Sequence, residues 1–398
     1  MPRGEKLTDA IRYDKVDSLK RDLFAYIDSS PDKIASNLPV FFGHVMSALD
    51  NAFPDIDNNA YDEFIDSMAY RLMMSSKEAN KVEFVENIAK NALRCKKKKS
   101  GRSTLRILSG IKMMDIGRYK EAIDYFGEYW KYDARIGIYI AYCYYCLYEI
   151  ESRKSSSGGA AQAPSRLELQ AREILLDLAQ LQPPVYRLKQ LDIKDNEVME
   201  RAFWVIIKKT QEWFPNEKWF IKTGILKSKN DGNNERREQL LTYAIGRFYN
   251  DLDFLRESFY YKLEKRDGAG AAGIVKQMTQ QNPDSIEPVY YGIKLSLLSS
   301  SKNSYTEFRD SALKKGVPHY LIQLFDLALY IMRDEKNEAE IQFKELKKRF
   351  KSLSFYLVTI DYMMRDIFSE DETRKKAAKS VFFDSLDKYA VQVIKIQE

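Results

Sequence analysis

The chain has 398 residues, 44% of them hydrophobic and 31% charged, with a net charge of +6. That length exceeds the roughly 250–300 residues at which one hydrophobic core stops growing, and the apolar content is too high for a disordered chain, which leaves several domains or an array that grows in one dimension. No stretch reaches the ~18 consecutive apolar residues of a membrane span, three cysteines are too few for a disulfide framework, and the scarcity of glycine and proline, 17 and 11 residues, favours long helices with short turns.

Residues 1–100 read as an N-terminal helical region with four amphipathic candidates. Ser30-Pro31 has the form of an N-cap with proline at the first helical position, ahead of the apolar face Ile34, Leu38, Phe41, Phe42 and Val45. Ser75-x-x-Glu78 reads as a capping box opening a helix with Val82, Val85 and Ile88 on its buried face. Between Glu86 and Asp115 lie nine basic residues and no acid: Lys90, Arg94, Lys96, Lys97, Lys98, Lys99, Arg102, Arg106 and Lys112. With a total of only +6, the rest of the chain sums to −3, so the basic character belongs to this one segment. Such a cluster steers acidic partners or nucleic acid, and Lys96 to Lys99 resembles a short nuclear-import signal. The candidate contact is Lys96, Lys97, Lys98, Lys99, Arg102 and Arg106. The plainer alternative is a solvated loop, and no aromatics are interleaved for base stacking.

From residue 103 helix follows helix. Gly117-Arg-Tyr119-Lys-Glu-Ala122-Ile-Asp-Tyr-Phe126, with Gly110 seven residues earlier, sets a small residue four positions before a large one. The same step recurs at Ala271/Val275, Ser304/Phe308, Ala339/Phe343 and Ala378/Phe382, with spacings of 33, 35 and 39 residues. This pattern resembles the tetratricopeptide repeat, whose period is 34 residues, over residues 103–150 and 250–398. The resemblance implies an all-α fold: a right-handed superhelical array of antiparallel helix hairpins, an α-solenoid. Residues 151–165, rich in Ser, Gly and Ala, have linker composition. Residues 166–249 read as a divergent helical region, with a polar turn at Lys227–Asn234 that, like the linker, is a candidate boundary between subarrays. Further capping boxes are expected at Ser165-x-x-Glu168, Ser304-x-x-Glu307 and Ser369-x-x-Glu372.

Catalytic signals are sparse. His44 and His319 are the two histidines, a number that argues against a multi-histidine metal site and against a His-containing triad. Cys143 and Cys146 have redox-pair spacing but sit in an aromatic helical run where thiols are ordinary packing. Gly268-Ala-Gly270-Ala-Ala-Gly273 matches a dinucleotide fingerprint without the buried strand that motif requires before it. No catalytic residue, cofactor or metal is assigned. In the resembled family the first helix of each repeat lines a peptide groove, which implies a candidate groove at Ile138, Ala141, Tyr145 and Tyr148, with core packing as the alternative for these aromatics. The expectation is a non-enzymatic scaffold for a partner protein or peptide in the cytoplasm. A nucleic-acid-associated protein using residues 90–112, with nuclear import, is the alternative, and an unrecognised helical enzyme comes third.

Overall fold

Helix propensity and local capping decide the elements. The computed structural model describes residues 3–76, 82–97, 102–155, 165–183, 197–350 and 354–394. Among them 84% are helical, in 20 α-helices, and none is in a strand. Consecutive helices pack on one another throughout most of the chain, an all-α helical-repeat architecture. The chain divides into two compact units, 1–227 and 228–398, and the division falls at the start of the polar segment 227–234.

The first unit opens with α1 (Arg3–Ser29), α2 (Pro31–Ala35), α3 (Leu38–Ala52), α4 (Asn58–Ser75) and α5 (Val82–Cys95). Pro31 starts α2 as expected, but the helix stops after five residues. Pro39 has no amide proton and its ring clashes with the carbonyl one turn back, so the chain restarts as α3 with proline in the first turn. Ile34, Leu38, Phe41, Phe42 and Val45 are nevertheless all buried, as their spacing requires. Ser75 opens no helix: it closes α4, and its hydroxyl donates to Asp28 at 2.8 Å. The helix that follows starts at Val82, and Glu78 lies outside the described residues.

Three further helices build the unit's repeat-like part: α6 (Arg102–Asp115), α7 (Tyr119–Phe126) and, after a short 3-10 segment (Gly127–Lys131), α8 (Ala134–Ser155). Gly117 closes α6 at φ 77°, a left-handed conformation that favours glycine, while the Arg118 amide donates to the Met113 carbonyl at 2.8 Å. A Cβ on Gly110 would lie 2.6 Å from the Phe126 ring, so the missing side chain is what lets α6 and α7 approach. Ala122 and Phe126 are fully buried at that joint. α9 (Arg166–Leu181) begins as expected, with Ser165 accepting from the Glu168 amide at 3.3 Å. It packs on α8, where a Cβ on Gly137 would meet Leu178 at 2.5 Å. α10 (Glu197–Trp213) packs on the same α8, and α11 (Lys218–Asn230) runs across the division between the units.

The second unit contains α12 (Asn234–Arg247), α13 (Leu252–Glu264), α14 (Gly268–Gln281), α15 (Glu287–Leu298), α16 (Lys302–Lys314), α17 (His319–Met332), α18 (Lys336–Arg349), α19 (Ser354–Ile367) and α20 (Glu372–Ile394). Hairpins α13/α14, α15/α16, α17/α18 and α19/α20 share one core from Leu255 to Ala390. Ala271, Ala339 and Phe382 are fully buried, and Val275 and Phe343 nearly so. The register departs at two places. Ser304 is exposed, because the buried position in the first turn of α16 is taken by Tyr305, whose hydroxyl donates to Asp326 at 2.7 Å. Ala378 is half-buried. Two capping boxes are also displaced. Ser301 flanks α16, so Ser304 lies inside the helix. Asp371 rather than Ser369 accepts from the first amides of α20, at 2.9 and 3.2 Å. The aspartate is one residue from the helix start, where its carboxylate meets the positive end of the helix dipole.

Candidate functional site

The described cations of the basic segment differ in their surroundings. Lys96 follows the last residue of α5 with its side chain 1% exposed, and its Nζ lies 2.6 Å from Asp66 Oδ2 on α4. Burial pushes Asp66 up to about 7; Lys96 opposes this, while Asp62 and Glu63 add to it. The Lys97 amide donates to Asp62 Oδ1 at 2.8 Å, and its ammonium sits 4.0 Å above the Tyr61 ring and 3.4 Å from Asp50. Arg106 is exposed and donates to the Asp124 carbonyl at 2.8 Å. Lys112 is buried and pairs with Asp115 at 2.7 Å. Lys98, Lys99 and the side chain of Arg102 lie outside the described residues. Lys96 and Lys97 therefore anchor the end of α5 onto α4.

The candidate groove separates likewise. Ile138 and Ala141 are fully buried in α8, whereas Tyr145 and Tyr148 are half-buried. The Tyr145 ring packs edge-on to Trp213 at 6.2 Å and lies 6.4 Å from Tyr148, with Lys209 above it at 5.5 Å. Arg172 stacks on Trp213 at 5.1 Å. Trp213 and Lys209 belong to α10, so the tyrosine face of α8 carries a neighbouring helix. Burial raises both Cys143 and Cys146, and Tyr119 and Tyr142 lie beside Cys146. The pair is thus held as thiols rather than nucleophilic thiolates.

Gly268–Gly273 forms the first turns of α14, capped by Asp267, which accepts from the Gly270 amide at 2.8 Å. It follows α13, a helix and not a strand. His44 and His319 are exposed, one on α3 and one opening α17. Among the described residues no group of three or more His, Cys, Asp or Glu side chains is placed to hold a metal ion, and no helix is long and apolar enough to cross a membrane.

Sequence reasoning missed how α20 docks. Asp387 accepts from the Tyr290 hydroxyl and from Lys294 Nζ at 2.8 Å, both on α15, while Lys294 also sits 4.6 Å over Tyr260. Lys375 and Lys379 reach Asp334, beyond the end of α17, at 3.1 and 2.8 Å. The helix therefore runs past the first helices of two successive hairpins. Nothing in its own periodicity marks this, because the partners lie some 40 to 100 residues away in sequence. No family model and no curated protein matches this chain.

Proposed function

We propose that this protein is a non-enzymatic scaffold, similar to the tetratricopeptide-repeat proteins, that holds a partner protein or peptide on its helical surfaces. One observation carries this. The joint of α6 with α7 and that of α15 with α16 use the same device, a glycine sixteen residues before a phenylalanine that fills its place. Repeated joints of this kind build an extended surface rather than a closed pocket, and such surfaces serve recognition. The engagement of Lys96 and Lys97 with acidic and aromatic side chains leaves fewer cations for phosphates, which favours a protein partner over nucleic acid.

The test is to isolate the tagged full chain from its native cell after mild crosslinking, with and without nuclease. A protein recovered in fixed ratio to the chain, insensitive to nuclease and rebinding when purified, supports the scaffold. Recovery that nuclease abolishes, or a chain that sediments alone at every concentration, overturns it.

A further inference from the structure

In the second unit each hairpin leans on the next: α14 packs on α15, and α16 on α17. The following joint breaks the rule. Among the described residues the backbones of α18 and α19 hardly meet, and a groove of about 490 Å³ lies between them. Its floor is apolar, made by Phe343, Met364 and Phe368. Four cations line it, Lys336, Lys344, Lys347 and Arg365, against two acids, Glu340 and Asp361. Asp361 is already paired with Lys347 at 2.5 Å. Lys336, Lys344 and Arg365 are exposed and have no acidic partner among the described residues. Along α19, Val358 and Tyr362 are 51% and 81% exposed on the stripe that ends at Arg365, which extends the apolar surface beyond the groove.

We propose that the groove between α18 and α19 receives an acidic amphipathic helix from the partner protein. The inference rests on the scaffold role. Geometry selects a helix, because at the other joints of this unit the corresponding helix face is covered by a helix. Charge selects acid, because three unpaired cations rim an apolar floor, and complementary rims set partner choice and association rate.

Two labelled helical peptides with one apolar stripe, flanked by glutamate in one and lysine in the other, are titrated against the full chain by fluorescence anisotropy. The glutamate peptide should bind, more weakly as salt rises, and the lysine peptide should not. Lys344→Glu with Arg365→Glu should weaken the glutamate peptide by about tenfold or more and admit the lysine peptide, since like charges at a rim repel. Lys302→Glu with Lys314→Glu, equally exposed on α16, should change neither. Equal binding of both peptides, or no response to the α18/α19 pair, overturns the assignment. A native partner that stays bound to the Lys344/Arg365 variant removes this groove and leaves the scaffold standing. Charge-selective peptide binding with no native partner does the reverse.

Discussion

Lys96 shows how much a single side chain's surroundings change its meaning. In a run of four lysines it reads as one of a set, yet its ammonium is buried against Asp66. At about pH 8, where Asp66 is ionised, removing one member of the buried pair leaves an uncompensated charge, so Lys96→Ala should cost about 3–5 kcal/mol there. Arg106→Ala, exposed and bonded to a single carbonyl, should cost no more than about 1 kcal/mol. Urea denaturation of the two variants checks the contrast, and equal losses would mean that Lys96 is solvated. The same site makes stability depend on pH. Asp66 is held up at about 7 by burial, far above the carboxylate's usual 3.8, and burial raises Glu63 in the same direction. Between about pH 4 and 7 the folded state then binds more protons than the unfolded one, so stability from this site is greatest at low pH and declines as pH rises through that window. Asp66→Asn should flatten the decline in Tm between pH 4.5 and 7.5 that these groups contribute. An unchanged profile would show that Asp66 is ionised throughout.

At the scale of the helix pair, the joints tolerate no added volume. A Cβ on Gly292 would fall 2.3 Å from the Phe308 ring. The up to ~1 kcal/mol that alanine gains over glycine in a helix is smaller than the cost of moving a packed ring. Gly292→Ala should therefore lose about 1–3 kcal/mol, and Phe308→Leu should restore part of it in the double variant. Ala122→Leu should lose a similar amount at the α6/α7 joint, where Ala122 is fully buried. Thermal melts of these variants decide the register: if none differs from the parent, the joints are looser than the geometry indicates. Gly292 was within reach of the sequence, since stepping back from Phe308 by the Gly110–Phe126 interval lands on it. The Gly137–Leu178 contact was not, because the intervening segment breaks any fixed spacing.

For the whole molecule, the consequence of the two units is a fragment that should stand alone. The core from Leu255 to Ala390 lies entirely within 228–398. Residues 228–398, produced by themselves, should give a helical circular dichroism spectrum and a cooperative melt, as expected of an independent core. A fragment without a cooperative transition would show that its core depends on the first 227 residues.

The helices themselves, their approximate ends and most of the buried apolar positions were determined by the sequence alone. The 3.6-residue periodicity, few breakers and small-to-large steps are local properties, and Ala122, Ala271 and Ala339 obeyed them. Of the serine caps expected from the sequence, Ser165 capped α9, whereas Asp371 displaced Ser369. Tertiary structure alone decided which charges are spent. A lysine's exposure depends on what the fold brings to it, and Asp66 lies thirty residues from Lys96. The same holds for Tyr145, whose face is covered by α10, and for the open joint between α18 and α19. A gap between two elements has no residues of its own, so no pattern along the chain records it.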